Sequence, residues 1–550
     1  MKYKNSTFPS IIIFATGLAV SACSNDASAQ GDKQKTTVAQ TFNYQPQGIL
    51  AKSLPDIADA LKNGDITSEA LVQLYLERIE AIDKNGPTLQ AILRINPNAL
   101  ADAKALDTLI FAGTIKGPLH GVPILLKDNI ESKDPIPTTA GALALQGNIS
   151  GRDSPLVASL RDAGAIILGK TNLSQWANFR SENSMSGWSA MGGQVKNPHM
   201  LDRNPCGSSS GSGAATAASL AAGSVGTETN GSVICPSNAN GIVGFKPTVG
   251  LVSQQYIIPI SVSQDTAGPM TKTVMGAAMM MNAMATTTAN TDYTAGLNPE
   301  ALMGIRVGVL RFAVGDNTKI TNTFNAALEE LKQSGAILVN IEKEPDMPEG
   351  YDAMAYDLLK YEFKDGLNAY LASTPQSVQT RTLKELIAFN EDHRGIELTL
   401  FDQSILLASQ AMKSLDDPEY IKARNTVQKA TRQDGVDKLL KENNVSVLVA
   451  PSGPVVPRVD PVNGDLWPSF PGVGGMAARA GYPHATVPMG GIGRLSVGLS
   501  FIGGKNEDAN ILSYAYAYEQ RSNKRLEPNY LSNAEDIPEV GKAMRPYSGE

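Results

Sequence analysis

The chain has 550 residues, of which 42% are apolar and 18% are charged, and its formal net charge is −7. This composition is typical of a globular protein. The acidic balance argues against nucleic acid as a partner, because a phosphate-binding face needs clustered Lys and Arg. The four histidines, His120, His199, His393 and His484, lack the spacing of metal ligands, so we expect neither a metal nor another cofactor.

Residues 1–29 have the pattern of an export signal. A basic start precedes an apolar run at 11–22 that is too short to span a bilayer. The residues Val-Ser-Ala-Cys that follow resemble a lipobox, the cleavage site of bacterial lipoproteins, in which Cys23 would carry the lipid. Cleavage after Ala29 would instead give a soluble periplasmic or secreted protein. We favour the lipid-anchored periplasmic or outer-membrane form, with the polar residues 30–50 as a flexible tether.

Residues 51–540 show alternating strand and helix patterns. This alternation predicts a single α/β/α layered domain with a mixed central sheet. Strands are predicted at 89–95, 122–126, 165–168, 305–310, 336–341, 485–489 and 495–502, with a turn at 169–172; helices are predicted after the caps Ser53 and Thr67, and at 99–111, 320–332 and 509–519.

Two segments of the domain break the alternation. Residues 350–440 are mainly helical in pattern and charged. Residues 451–471 are rich in Pro and Gly and include Trp467 and Phe470. This long loop is either a mobile lid or a surface loop that is packed by its own aromatic side chains.

The stretch 205–232 is almost free of bulky side chains and contains two candidate nucleophilic hydroxyls, Ser208 and Ser232. Residues 214–222 are good helix formers, so the stretch is not a flexible linker. A serine at a small-residue turn can lie among backbone N–H groups, as nucleophiles and oxyanion holes require. Lys127 ends the apolar strand 122–126; burial would lower the pKa of its amine and favour the neutral form that acts as a base. The alternative for Lys127 is a structural lysine at a strand end.

Three ordered motifs are similar to those of the amidase signature family. They are G-P-L-H-G-V-P-I-L-L-K-D-N at 117–129, G-S-S-S-G-S at 207–212 and G-T-E-T-N-G-S-V at 226–233. The resemblance is most specific over a core at 110–280 and continues loosely to 503. Within the family the motifs are most like those of bacterial peptide amidases, which release ammonia from C-terminal peptide amides.

The resemblance implies a role for each candidate residue. Ser232 matches the nucleophile, Lys127 the general base, and Ser208 the bridging serine, which in the family follows a cis peptide bond. The family's chemistry would convert a small carboxylic amide or C-terminal peptide amide to acid and ammonia through an acyl-enzyme. An aryl-acylamidase or esterase with the same triad, or an amidotransferase-type amidase subunit, remains an alternative. The oxyanion hole is implied to consist of the backbone N–H groups of Thr229, Asn230, Gly231 and Ser232.

Three further features bear on specificity and compartment. Many family members carry an arginine where this chain has Ile234, so we expect an apolar site suited to a neutral amide. In the family the region 350–440 shapes the substrate entrance. Cys206 and Cys235 flank the two serines; they could pair in an oxidising compartment, but we favour two separate buried apolar side chains. The motifs carry no information on oligomeric state.

Overall fold

A computed structural model describes residues 44–286 and 291–546, and an eleven-stranded mixed sheet runs through them. The order of the strands in the sheet is β1-β3-β2-β6-β8-β7-β12-β13-β11-β9-β10. The strands are β1 (Ile92–Ile95), β2 (Pro123–Lys127), β3 (Ile166–Thr171), β6 (Gly223–Glu228), β7 (Val243–Lys246), β8 (Thr266–Thr271), β9 (Arg306–Leu310), β10 (Ile337–Ile341), β11 (Val447–Pro451), β12 (His484–Ile492) and β13 (Leu495–Ile502), with β4 (Trp188–Ser189) and β5 (Gly193–Gln194) in a separate two-stranded sheet.

The described ranges contain seventeen α-helices. Several of them, from both ends of those ranges, bury apolar residues of the large sheet in one core. Within those ranges no helix is both long enough and apolar enough to cross a membrane. The helices are α1 (Leu54–Asn63), α2 (Ser68–Arg78), α3 (Ala99–Phe111), α4 (Pro155–Asp162), α5 (Ser210–Ala217), α6 (Ile234–Asn240), α7 (Val274–Met284), α8 (Thr318–Gln333), α9 (Tyr351–Ala372), α10 (Leu383–Asp392), α11 (Arg394–Glu397), α12 (Ser404–Ala411), α13 (Pro418–Thr431), α14 (Asp437–Glu442), α15 (Gly474–Ala480), α16 (Asp508–Ser522) and α17 (Pro538–Ala543).

The sheet has one parallel group at β3-β2-β6 and a second at β10-β9-β11. Antiparallel pairs join the two groups through β8, β7, β12 and β13. The architecture is therefore the mixed α/β layered fold that the alternation predicts. The β3-β2-β6 group matters most for function, because β2 ends at Lys127 and β6 leads into the loop before Ser232.

The predicted turn at 169–172 is wrong, because β3 continues through Thr171. Gly169 lies opposite Ile95 in the antiparallel pair of β1 and β3. A Cβ on Gly169 would lie 2.2 Å from the carbonyl oxygen of Arg94. The glycine is thus required by the close approach of two strands, and this requirement is indistinguishable from a turn signal in sequence.

The predicted tether, 30–50, ends earlier than expected. The Tyr44 ring packs edge-on against Tyr530 with 5.7 Å between centroids, and Gln45 Nε2 donates to the Pro528 carbonyl at 2.6 Å. A 3₁₀ helix, Gly48–Ala51, follows. Residues 44–50 therefore belong to the folded domain, whereas the predicted signal, Cys23 and the rest of the tether lie outside the described residues.

The helix expected over 214–222 is displaced toward the N-terminus. The observed α5 spans Ser210–Ala217, and Ser219 adopts a left-handed backbone with φ 58° before β6 begins. The small residues of α5 permit close packing, since a Cβ on Gly211 would lie 2.4 Å from the carbonyl oxygens of both Ala91 and Asn172. This packing holds Ser208, two residues before α5, against the end of β2.

Candidate active site

Lys127 lies at the carboxyl end of β2 with its side chain fully buried. Its Nζ is 2.7 Å from Ser208 Oγ, 2.8 Å from Thr227 Oγ1 and 3.2 Å from the Thr227 carbonyl oxygen. Burial lowers the pKa of Lys127 to about 7, while the charges of Asp265 and Glu228 act in the opposite direction. A buried amine with this pKa exists largely in its neutral form above neutral pH.

Thr227 and Asn129 complete the surroundings of the lysine. Both lie within the quoted motifs, but the sequence analysis assigned a role to neither. Asn129 Nδ2 donates to Thr227 Oγ1 at 2.9 Å. The Thr227 carbonyl can only accept, so one amine N–H of Lys127 points toward it. A neutral amine keeps a lone pair in addition to its N–H groups, and that lone pair can accept the proton of the Ser208 hydroxyl. Thr227 reaches the lysine because β6 pairs with β2 in the parallel group β3-β2-β6.

Ser208 is fixed from both sides by main-chain contacts. The peptide bond between Gly207 and Ser208 is cis, as the family resemblance implied. The Ser208 carbonyl accepts from the Ser174 N–H at 3.1 Å. The neighbouring Ser209 hydroxyl lies 3.1 Å from the Thr227 carbonyl oxygen and 3.2 Å from its nitrogen. Ser208 therefore has little freedom to leave the lysine.

Ser232 lies at the end of the loop 229–232, which connects β6 to α6. The N–H groups of this loop have no hydrogen-bond acceptor within the described ranges. Gly231 has φ 83°, a left-handed conformation that favours glycine. The Ser209 N–H donates to the Ser232 carbonyl at 3.2 Å, so the segments that carry Ser208 and Ser232 touch. The structure brings Lys127 and Ser208 together, but among the described contacts no hydrogen bond links the hydroxyls of Ser208 and Ser232.

Two carboxylates, of which Glu228 is buried and Asp265 half-buried, hold the loop 229–232 at its ends. Asp265 accepts from the Thr229 hydroxyl at 2.6 Å, and burial raises the pKa of the Asp265 carboxyl to about 6. Glu228 accepts from the N–H groups of Val233 and Ile234 at 2.8 and 3.0 Å. Because both ends are tethered, the free N–H groups between them are held in fixed directions, which a preorganised anion site requires.

Cys206 and Cys235 form a disulfide bond, so our expectation of two separate buried side chains is wrong. The sequence separation of 29 residues does not reveal that the two Cα atoms lie 5.9 Å apart. The bond joins the segment before Ser208 to the first turn of α6, just after Ser232.

A cavity of about 330 Å³ opens beside the loop 229–232. Its lining includes Asn230, Gly231, the disulfide and Ile234, together with Trp467 and Phe470 from the long loop 451–471. The rings of Trp467 and Phe470 meet edge-on at 5.8 Å, which agrees with a loop packed by its own aromatics. Among the described residues no cluster of His, Cys, Asp and Glu has the arrangement of a metal site.

Comparisons with known proteins agree with this fold. The family model described as Amidase matches residues 70–512. A probable amidase of Arabidopsis thaliana is 35% identical over 522 residues, covering 91% of this chain and 95% of that protein. A glutamyl-tRNA(Gln) amidotransferase subunit of Acinetobacter baylyi is 33% identical over 491 residues, with 85% and 95% coverage.

Among solved structures, the native peptide amidase of Stenotrophomonas maltophilia is 43% identical, with a TM-score of 0.83 and coverage of 87% of this chain and 98% of that one. A peptide amidase bound to the competitive inhibitor chymostatin is 44% identical, also with a TM-score of 0.83, and covers 87% and 99%. Fold and comparisons together define an amide-hydrolysing enzyme. The chain belongs to the amidase family, the amidase-signature enzymes that its motifs resemble.

The lowered pKa of Lys127 can be tested without measuring activity. Between about pH 7 and the ordinary pKa of lysine, unfolded Lys127 binds a proton that the folded form has lost, so stability rises with pH in that window. We expect the melting temperature of the wild type, minus that of Lys127→Met, to increase from pH 7 to pH 10. Other buried lysines are common to both proteins and cancel in the difference.

Thermal unfolding of both proteins by circular dichroism across this pH range gives the difference directly. Lys62→Met, at an exposed position on α1, is the matched control. A wild-type minus Lys127→Met difference with the same pH dependence as the control difference would contradict the lowered pKa.

Proposed function

We propose that this protein is an exported amidase that hydrolyses the C-terminal amide of short peptides, with Ser232 as nucleophile, Ser208 as bridge and Lys127 as base. The observation that carries the proposal is the 2.7 Å contact between Lys127 Nζ and Ser208 Oγ, in a site where the amine is buried. A serine hydroxyl is a weak nucleophile until a base removes its proton. The neutral lysine supplies that base, with Ser208 relaying the proton.

The reaction proceeds in two acyl-transfer steps. Ser232 Oγ attacks the amide carbonyl and gives its proton to Ser208 as Ser208 gives its own to Lys127. The backbone N–H groups of 229–232 stabilise the negative charge that develops on the carbonyl oxygen. The C–N bond breaks, ammonia leaves with the relayed proton, and water then hydrolyses the acyl-enzyme by the same route.

One contact in this relay forms only when substrate binds. The Ser232 hydroxyl must turn toward Ser208, and the segments that carry the two serines are already joined through the Ser209 N–H, which donates to the Ser232 carbonyl at 3.2 Å. Catalytic hydrogen bonds often become short only in the substrate complex.

The substrate class rests on similarity and on the shape of the site. Peptide amidases are 43–44% identical over 87% of this chain, and one of them binds chymostatin as a competitive inhibitor. The cavity beside Gly231 has a volume of about 330 Å³ and is partly apolar, with Ile234 on its wall. A role in an amidotransferase is a second candidate because of the 33% identity to a protein of that kind, but an exported chain would not meet tRNA. Comparing peptide amides, aryl amides and esters as substrates separates the remaining alternatives.

Replacement of Ser232 by alanine tests the proposed nucleophile. Ser232→Ala should lower ammonia release from amidated dipeptides by roughly 10⁴-fold or more, and Ser208→Ala and Lys127→Ala should do the same because the three residues act as a unit. Ser210→Ala is the matched control, because that hydroxyl lies in the same motif but faces Ser174. Substantial turnover or fluorophosphonate labelling of Ser232→Ala would refute the assignment.

The pH dependence of kcat/KM tests the proposed base. Lys127 must be neutral to accept a proton, so activity should be low at pH 6 and rise to a plateau above the lysine pKa of about 7. The measurement is kcat/KM for a neutral amidated dipeptide from pH 5 to 9, with circular dichroism as a check that the protein stays folded. A rate that is constant down to pH 5 would exclude a lysine base with this pKa.

Export and lipid attachment are part of the proposal. The support is the signal-like pattern of residues 1–29, with Cys23 in a lipobox-like sequence, and the disulfide between Cys206 and Cys235. Disulfides persist mainly in oxidising compartments.

If the proposal is right, the full chain expressed in a diderm bacterium should be processed at Cys23 and should partition into detergent, and Cys23→Ala should abolish both. Mass spectrometry of the mature N-terminus makes the measurement. An N-terminus at Gln30 would support a soluble exported protein instead, and an intact N-terminus would contradict export.

A further inference from the structure

The cavity beside the loop 229–232 has Asp465 as the one charged side chain among its described lining residues. The rest of that lining consists of glycines, neutral polar groups, the disulfide, Ile234, a proline and the aromatic pair of the long loop. No Lys or Arg of the described ranges belongs to it. Sequence reasoning predicted an apolar site for a neutral amide, and gave no reason to single out an aspartate in a Pro- and Gly-rich loop.

Asp465 is held firmly by neutral groups. It accepts from the Ser186 N–H at 3.0 Å and from Asn204 Nδ2 at 2.8 Å, and the Trp467 side chain is a further partner. The Asn204 side chain in turn accepts from the Cys206 N–H at 2.8 Å, two residues before Ser208. These hydrogen bonds fix the carboxylate on the cavity wall beside the disulfide. They do not cancel its negative charge, because every donor is neutral.

Among the described residues the half-buried Asp465 carboxylate has no cationic partner. Carboxylates removed from water are normally paired with a cation. Burial raises the pKa of the Asp465 carboxyl, and only neutral hydrogen-bond donors act in the opposite direction. Asp460 lies in the same loop but does not line the cavity. Its carboxylate accepts hydrogen bonds from the N–H groups of Val462 and Asn463.

We propose that Asp465 is a specificity-determining residue that favours amides whose acyl part carries a cationic nitrogen close to the scissile bond. The cation is either the side chain of a lysine- or arginine-type residue or the free α-ammonium of an amino-acid amide. The charge complements the carboxylate in a confined, partly desolvated space, where electrostatic discrimination is stronger than in water. An acidic acyl group is disfavoured for the same reason. This inference rests on the proposed function, since it names the substrate class of that same site.

Two pairs of substrates separate the sources of the cation. N-acetyl-lysinamide against N-acetyl-norleucinamide varies the side-chain charge, and leucinamide against N-acetyl-leucinamide varies the α-ammonium. For each pair the measured quantity is the ratio of kcat/KM for the charged to the uncharged member. We expect Asp465→Asn to lower this ratio by about tenfold for at least one pair, which corresponds to a tenfold loss of relative affinity for the charged transition state. The pair that responds identifies the source.

Asp460→Asn is the matched control, because it removes the same charge from the same loop outside the cavity. A loosened loop would lower kcat/KM for charged and uncharged substrates alike, and the ratio would not move. Ratios that are equal in wild type, Asp465→Asn and Asp460→Asn would overturn the proposal. An equal fall in the ratio for both variants would also overturn it, because the effect would then be a general one of loop charge.

Binding distinguishes failure of this inference from failure of the proposed function. Calorimetric titration of Ser232→Ala with N-acetyl-lysinamide and N-acetyl-norleucinamide needs no turnover. Tighter binding of the lysine compound, lost in the Ser232→Ala/Asp465→Asn double variant, supports the inference even if wild type releases no ammonia. Equal binding of the two compounds, together with equal leucinamide and N-acetyl-leucinamide binding, overturns it, even in an enzyme that hydrolyses both.

Discussion

The contact between Lys127 Nζ and Ser208 Oγ is the interaction on which the site depends. It joins residues that are 81 apart in sequence, and a different part of the fold positions each of them. The lysine comes from the end of β2, which has a parallel neighbour on each side, and it is fully removed from water. Ser208 comes from a segment that can approach only because α5 is built of small residues. Burial lowers the pKa of the amine, so that it is largely neutral above neutral pH. Close packing brings the hydroxyl whose proton the amine can accept.

The motif residues could be predicted from sequence because their physical requirements leave a visible pattern. A lysine at the end of an apolar strand and a run of small residues around Ser208 and Ser232 are unusual wherever they occur. The alternation of strands and helices was also visible in the sequence, and it predicted the layered fold. The resemblance to a family added the roles of nucleophile, bridging serine and base, which composition and periodicity could not supply.

What escaped prediction depends on neighbours that are distant in sequence. Thr227 contacts Lys127 because β6 pairs with β2. The sequence of neither strand predicts which strand will be its neighbour. The Cys206–Cys235 bond requires the approach of a loop and the first turn of α6, and Tyr44 joins the domain through contacts with distant residues such as Tyr530. Gly169 looked like a turn because a glycine needed for strand contact leaves the same sequence signal. Local patterns identify a residue's type of environment, whereas its partners come from tertiary contacts.

The same tertiary contacts connect the basicity of the lysine to the geometry of the oxyanion loop. Burial alone would lower the pKa of Lys127 further, and the charges of Asp265 and Glu228 offset part of that effect. Each of these carboxylates also holds one end of the loop 229–232, Asp265 at Thr229 and Glu228 beyond Ser232. A base is most effective when its pKa lies near the working pH, because a lower pKa weakens it and a higher one keeps it protonated. Two side chains thus set both how readily the proton is taken and where the resulting oxyanion is held, so neither property can change in evolution without affecting the other.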